Sequence, residues 1–405
     1  MNKATDSFKR MRSVMLLAVV TMLSCTGKDE VKNDDVPGDY FIPGAANVIN
    51  LSKLVADELT DATFMVTNGM VLTDTLDGRT QKIKIVIADG ATVTLADAAI
   101  NGVHYGGSRD TECIWAGLTC LGDATIILAD STTNTVTNFN KNYPCIYVTE
   151  DKTLVIKGGT KGTGKLIANN AVSTGIGGGS RINCGNIRIE GGIIQANSGF
   201  NSAGIGSGTN ASCGNITITG GNITATGGNS SAGIGSGFMA SCGDITITGG
   251  NITATGGLNS AGIGTGEMAS CGDISISGGN ILAQGVNNAA GIGCGGNGDE
   301  ITPSSCGNIT LSYIESFVKV TAIRGKDAYY SIGPSLAYLN ATLCGVVKIG
   351  EEIVKEAHFP EVDVSDDMYV GRELRFTIST TVPEGETDEK PYLNNTWTLE
   401  SVLLE

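Results

Sequence analysis

Cysteine recurs at positions 184, 213, 242 and 271, each 29 residues after the last, and again at 306 after a longer step. Such a row of thiols could hold a metal, form disulfides or simply pack. A metal needs several ligands converging on one point, and no Cys-x-x-Cys spacing supplies them. Cysteine otherwise behaves as a small buried hydrophobe, so the row reads as a packed thiol ladder, with Cys120 and Cys344 in similar contexts. Disulfides between adjacent rungs stay open, because the Cα spacing lies in the bridgeable range. Cys113 and Cys145 are the best-placed pair. Two residues beyond each ladder cysteine stands Asn186, Asn215, Asp244, Asp273 or Asn308. Stacked asparagines can hydrogen-bond along an axis. Asp244 above Asp273, at about 5 Å, is a repulsive pair. Either the carboxylates splay into water or a cation such as Ca²⁺ bridges them. The calcium-binding Gly-Gly-x-Gly-x-Asp nonapeptide is absent, and no other cofactor is required by the residues present.

One segment has the composition of a binding loop: residues 104–112, with His104, Tyr105, Arg109, Asp110 and Glu112, running into Trp115. Aromatic rings beside Arg and carboxylates suit sugars, as stacking surfaces and hydrogen-bonding groups. Tyr105, Arg109, Asp110 and Trp115 are the candidate ligand-binding residues; a purely structural loop with Trp115 partly inside the fold is the competing reading. A second, acidic insertion spans 295–303 without aromatics.

The elements that must position these residues follow from the repeat. In residues 213–241, Ile216 and Ile218 alternate with Thr217 and Thr219, and Ile223 and Ala225 alternate with Thr224 and Thr226. Period two sends the apolar set to one face and the threonines to the other. Glycine pairs punctuate, and Ala232 with Ile234 starts a third short strand. A unit this small cannot bury a core alone and must stack on copies of itself. The expectation is an all-β, right-handed parallel β-helix of about eight rungs of about 29 residues, with both ends capped. The outward threonine grid would suit an ice-binding face, but Arg188 and Glu190 interrupt it, and threonine is a favoured strand residue in any case. Residues 51–59 have helical spacing and suit an N-terminal cap; 373–380 and 396–404 read as two strands of a C-terminal cap.

The N-terminal residues predict a location. Lys3, Lys9, Arg10 and Arg12 precede ten apolar residues, 14–23, too few to span a bilayer and suited to a secretory signal. The segment ends at Leu23-Ser24-Cys25, which looks like a lipobox with Met22 where leucine is usual; Cys25 would then carry the lipid. The predicted organisation is a signal peptide (1–24), a lipidated tether (25–46), an N-terminal cap (47–80), the β-helix (81–350) and a C-terminal β-cap (351–405). With 26 basic and 41 acidic residues the net charge is −15. That repels phosphate backbones and argues against a nucleic-acid partner.

The unit Ala-Gly-Ile-Gly-x-Gly…Cys-Gly-Asn-Ile-Thr-Ile-x-Gly-Gly-x-Ile-Thr-Ala-Thr-Gly-Gly, and the segments at 113–128 and 143–148, resemble β-helical repeat surface lipoproteins of Gram-negative gut anaerobes. The acidic residues Asp29 and Glu30 beyond Cys25 are similar to the surface-export signal of such lipoproteins. The resemblance covers roughly residues 80–310. It implies a surface-exposed outer-membrane lipoprotein of the cell-adhesion or carbohydrate-binding kind, attached to the membrane only by its lipid, and it brings no catalytic residues. The rungs at 184–300 offer one Arg and no His or Lys, a poor set for glycoside hydrolysis or uronate elimination. The expectation is therefore a non-catalytic adhesin for glycans or a host or bacterial surface. The alternative is a polysaccharide lyase or hydrolase working around 104–112.

Overall fold

Alternating isoleucines and glycine turns produce the coil that the repeat implies. The computed structural model describes residues 47–59, 62–103, 113–170, 172–296, 304–312, 318–325, 328, 332–334, 347–349, 352–355, 374–380 and 395–401. Within them the chain is a right-handed parallel β-solenoid, with three sheets running along its axis. The first two strands of every turn belong to one 19-stranded sheet; the six short Ile-Gly strands belong to a ten-stranded sheet with Thr63–Val66, Lys84–Ile87, Leu118–Cys120 and Ile146–Val148. A third sheet joins Ser212–Cys213, Ser241–Cys242 and Ser270–Cys271, a fourth short strand per rung that the alternation did not announce.

Register follows the repeat residue for residue. Ile216–Ile218 pairs in parallel with the start of Ile245–Thr255, and Ile223 lies on Ile252, Ile234 on Ile263. Four isoleucines per regular rung (Ile216, Ile218, Ile223 and Ile234, then Ile245, Ile247, Ile252 and Ile263) are all at most 1% exposed. Each such side chain contributes about 1.5–3 kcal/mol on burial, so this column carries most of the driving force. In the ten-stranded sheet the glycines stack: Gly177, Gly206, Gly235, Gly264 and Gly293 all have φ of 125–135°. A Cβ on any of them would overlap the carbonyl oxygen of the glycine in the next rung, which is why Ile-Gly recurs without variation.

The coil begins earlier than the predicted boundary. Asn47–Asn50 pairs in parallel with Met70–Asp77, which pairs with Ala91–Asn101, and Thr63–Val66 pairs with Lys84–Ile87. Residues 47–80, expected as a cap, thus already form coil strands. The helix expected over 51–59 is instead two single 3-10 turns, Leu51–Lys53 and Ala56–Glu58. Leu54, Val55 and Leu59 take extended backbone at their ends. One turn is below the length at which α-helix propagation repays nucleation, and the fully buried Leu51 packs into the core instead. At the other end Leu374–Thr380 and Asn395–Ser401 are antiparallel partners, close to the expected spans. The second of them also pairs antiparallel with Val318–Ile323. That edge pairing stops the parallel ladder from growing, a standard way to blunt an open sheet edge.

Candidate functional site

The cysteine seam is structural. Cys184, Cys213, Cys242, Cys271 and Cys306 are 3–9% exposed and belong to the hydrophobic core. The same line continues upstream: Cys120 pairs with Ile87 on one side and Val148 on the other, and the Gly185 N–H donates to Val148 O at 3.3 Å. Isoleucine, cysteine and valine therefore exchange at one seam position, as expected of a small apolar filler. Burial pushes the Cys120 thiol up to about 12. Cys184 is raised by burial and by the neighbouring Cys213 thiol; Cys242 is raised by a hydrogen bond with Cys271 and by burial. Thiols held protonated in this way are inert. Cys113 and Cys145, the best-placed pair for a disulfide between adjacent rungs, have no disulfide between them; Cys344 lies outside the described residues.

The Asn/Asp ladder has a definite job. The Asn215 N–H donates to Asn186 Oδ1 at 2.8 Å, Asp244 N–H to Asn215 Oδ1 at 2.9 Å, Asp273 N–H to Asp244 Oδ1 at 2.9 Å and Asn308 N–H to Asp273 Oδ1 at 2.7 Å. Each side chain thus fixes the backbone of the next rung. The glycines of the last four Cys-Gly-Asn/Asp triplets make room for it: a Cβ on Gly214, Gly243, Gly272 or Gly307 would fall on the side-chain oxygen arriving from the rung before. Asp244 and Asp273 are exposed, so solvent screens the repulsion that suggested Ca²⁺. Among the described residues, no group of three or more His, Cys, Asp or Glu could hold a metal ion. The ladder also reaches further than the repeat: the Asp123 N–H donates to Asp89 Oδ1 and Thr153 N–H to Asp123 Oδ1, both at 2.8 Å.

Of the four candidate ligand-binding residues, Tyr105, Arg109 and Asp110 lie outside the described residues, as does Cys25. Trp115 is described and is half-buried. Its ring lies 5.8 Å from Phe139, tilted by 43°, and it packs against the core. That geometry is the edge-tilted aromatic pairing that stabilises cores, so much of the indole is committed to structure.

The geometry presents another surface that the residue pattern had not singled out. An open trough of about 460 Å³ runs across the regular rungs. Ala211, Ala240 and Ala269, all 4–7% exposed, form its floor. Ser212, Ser241, Ser270 and Ser305 line it, with Ser241 Oγ donating to Ser212 Oγ at 2.9 Å. Asn210, Met239 and Met268 complete the lining, and all three have φ of 51–52°. Asparagine tolerates this left-handed backbone, whereas for a side chain such as methionine it costs roughly 1–2 kcal/mol. Met239 is 47% exposed, so its burial does not offset the strain. The signal was in the sequence: Met239 and Met268 replace Asn210 at intervals of 29 residues.

A family model described as a β-helix repeat matches residues 187–209, 216–238, 245–267 and 274–296. No curated protein and no solved structure matches the chain. Each matched segment begins one residue after a member of the Asn/Asp ladder and carries the isoleucines of its rung, and the chain is a β-helical repeat protein.

Proposed function

We propose that this protein is a non-catalytic binding protein for glycans or another cell surface, held at the outer membrane by a lipid on Cys25 and extended from it by residues 26–46. The observation that carries the reading is the pair of partly strained methionines beside the serine-lined trough. Strain kept at the exposed Met239, and repeated at the partly buried Met268, points to a role outside folding. Methionine offers a soft, adaptable apolar contact for the C–H face of a sugar, and the serine row and Asn210 offer one polar group per rung for its hydroxyls. A rung-by-rung arrangement suits an extended polymer. Tyr105, Arg109 and Asp110 remain proposed as further ligand contacts on the strength of their residue types.

Three of the described acidic groups, Asp244, Asp273 and Glu190, favour binding over catalysis. Those of the ladder are occupied in holding the backbone. Glu190 is held below the usual carboxylate range by the Arg188 guanidinium at 2.7 Å and then by Lys157 at 2.9 Å. An acid catalyst would need the opposite shift.

A glycan-array screen of wild type and Met239→Asn/Met268→Asn, run beside a polysaccharide-depolymerisation assay, tests the reading. Binding by wild type that falls at least tenfold in the double variant, with melting temperature maintained, is expected. Binding unchanged in the double variant removes the trough from the function. Polysaccharide turnover that Arg109→Ala abolishes would establish an enzyme instead.

A further inference from the structure

In three successive rungs the residue following Ile-Gly is a fully buried hydroxyl: Ser207, Ser236 and Thr265. Each accepts a hydrogen bond from a backbone N–H of the next rung, Gly237, Gly266 and Gly295 respectively, at 2.8–3.4 Å. The next rung has Cys294 there, also fully buried. Its Sγ lies 3.1 Å from Sγ of Cys306, the last described cysteine of the seam. In the regular rungs the hydroxyl residue precedes the seam cysteine by six positions; from Cys294 to Cys306 the step is twelve. Cysteine thus replaces a hydroxyl at the one rung where six extra residues enter between these two positions.

Both cysteines are pinned by neighbouring turns. The Cys294 N–H donates to Gly333 O at 3.0 Å, and the following Gly295 N–H to Thr265 Oγ1 at 2.8 Å. On either side of Cys306, Ser305 N–H donates to Ala269 O at 2.9 Å and Gly307 N–H to Gly272 O at 3.1 Å. We propose that Cys294 and Cys306 form a disulfide that closes the base of this insertion. The sulfurs must approach by about 1 Å to reach bonding distance, a shift within reach of side-chain torsions while the backbone stays fixed.

The oxidant is a small-molecule or protein disulfide. The thiolate of Cys306, the less buried of the two, attacks the donor disulfide and expels one donor thiolate. Cys294, deprotonated in turn, attacks the mixed disulfide and expels the second. One S–S bond breaks and one forms. The donor sulfurs take up two electrons and, as thiols, the two protons lost by the cysteines.

The test uses the full-length protein treated under native conditions with excess oxidised glutathione, then alkylated in denaturant and digested without reduction. The expected product is a peptide pair linked through Cys294 and Cys306, lost on reduction, with the other seam cysteines alkylated. Cys294→Ser restores the hydroxyl of the neighbouring rungs and should fold. It should melt at the same temperature with and without reductant, whereas oxidised wild type should melt higher than its reduced form. Alkylation of both Cys294 and Cys306 in oxidised, folded wild type, or linkage of either to a different cysteine, overturns the proposal.

Discussion

Replacing Gly235 by alanine tests the geometry that sets the rung spacing. Gly235 has φ of +133°, and an added Cβ would overlap Gly264 O while lying 2.9 Å from its carbonyl carbon and 3.3 Å from its Cα. All these atoms are backbone, so no side chain can swing away. The same oxygen accepts the Ser236 N–H at 3.0 Å, and separating the rungs breaks that bond as well. Backbone strain contributes about 1–3 kcal/mol and overpacking about 1–3 kcal/mol, so the loss should be about 2–6 kcal/mol. Gly90→Ala is the matched control: φ is +74° there, and nothing lies within 4 Å of the new Cβ. It should lose only about 1–2 kcal/mol. Guanidinium unfolding followed by far-UV circular dichroism measures both, with the midpoint and slope compared to wild type. Equal losses for the two variants would refute the claim that glycine is fixed at this position by contact with the next rung.

Three further outcomes follow from the ladders. Cys120, raised from 9.0 to about 12, stabilises the fold fully below the unfolded thiol's pKa; that contribution falls as pH rises from about 9 through the folded value, by on the order of 4 kcal/mol at pH 12. Cys120→Val, which copies Val148 at the adjacent seam position, should flatten the alkaline limb of a melting-temperature-against-pH curve; an unchanged limb would contradict the assignment. Asp244→Asn/Asp273→Asn retains both Oδ1 acceptors and should stay within about 0.5 kcal/mol of wild type, whereas Asp244→Ala should lose about 0.5–1.5 kcal/mol. Calcium titration of the melting temperature checks this: a rise in wild type that the double Asn variant lacks would show that the carboxylates share a cation. Met239→Asn should raise stability by up to about 1 kcal/mol by relieving left-handed strain, and a loss on chemical unfolding would show that methionine is instead held there by packing.

Where neighbouring rungs repeat, the residues were sufficient. Ile216/Ile218 against Thr217/Thr219 announced both the strand and its inner face, and 29-residue spacing announced the register. Where the spacing drifts, the same physics was hidden. Asp89, Asp123 and Thr153 continue the Asn/Asp ladder, yet the steps between them are 34 and 30 residues, so period alone does not align them. The 51–59 segment misled for another reason: apolar residues at helical spacing also fit two 3-10 turns, and tertiary burial of Leu51 decided between them. Trp115 looked like a ligand platform because composition does not show that Phe139, 24 positions away, lies against its ring.

The Cys-Gly-Asn/Asp triplet that first suggested chemistry is explained, atom by atom, as a joint between rungs. The cysteine fills the seam, the glycine admits an oxygen from the preceding turn, and the asparagine or aspartate passes the same hydrogen bond onward. A joint of this kind must be the same in each rung, because every copy is both donor and acceptor to its neighbours. It follows that identity between rungs reports folding, and that function is to be sought at positions where one rung departs from the next without a folding reason. Met239 in place of Asn210 is such a departure, since it adds strain at an exposed site. Cys294 in place of a buried hydroxyl is another, since it brings a thiol within 3.1 Å of the Cys306 sulfur. In a repeat protein the exceptions therefore carry more functional information than the motif, and here they fall on one outer trough and on the base of one insertion.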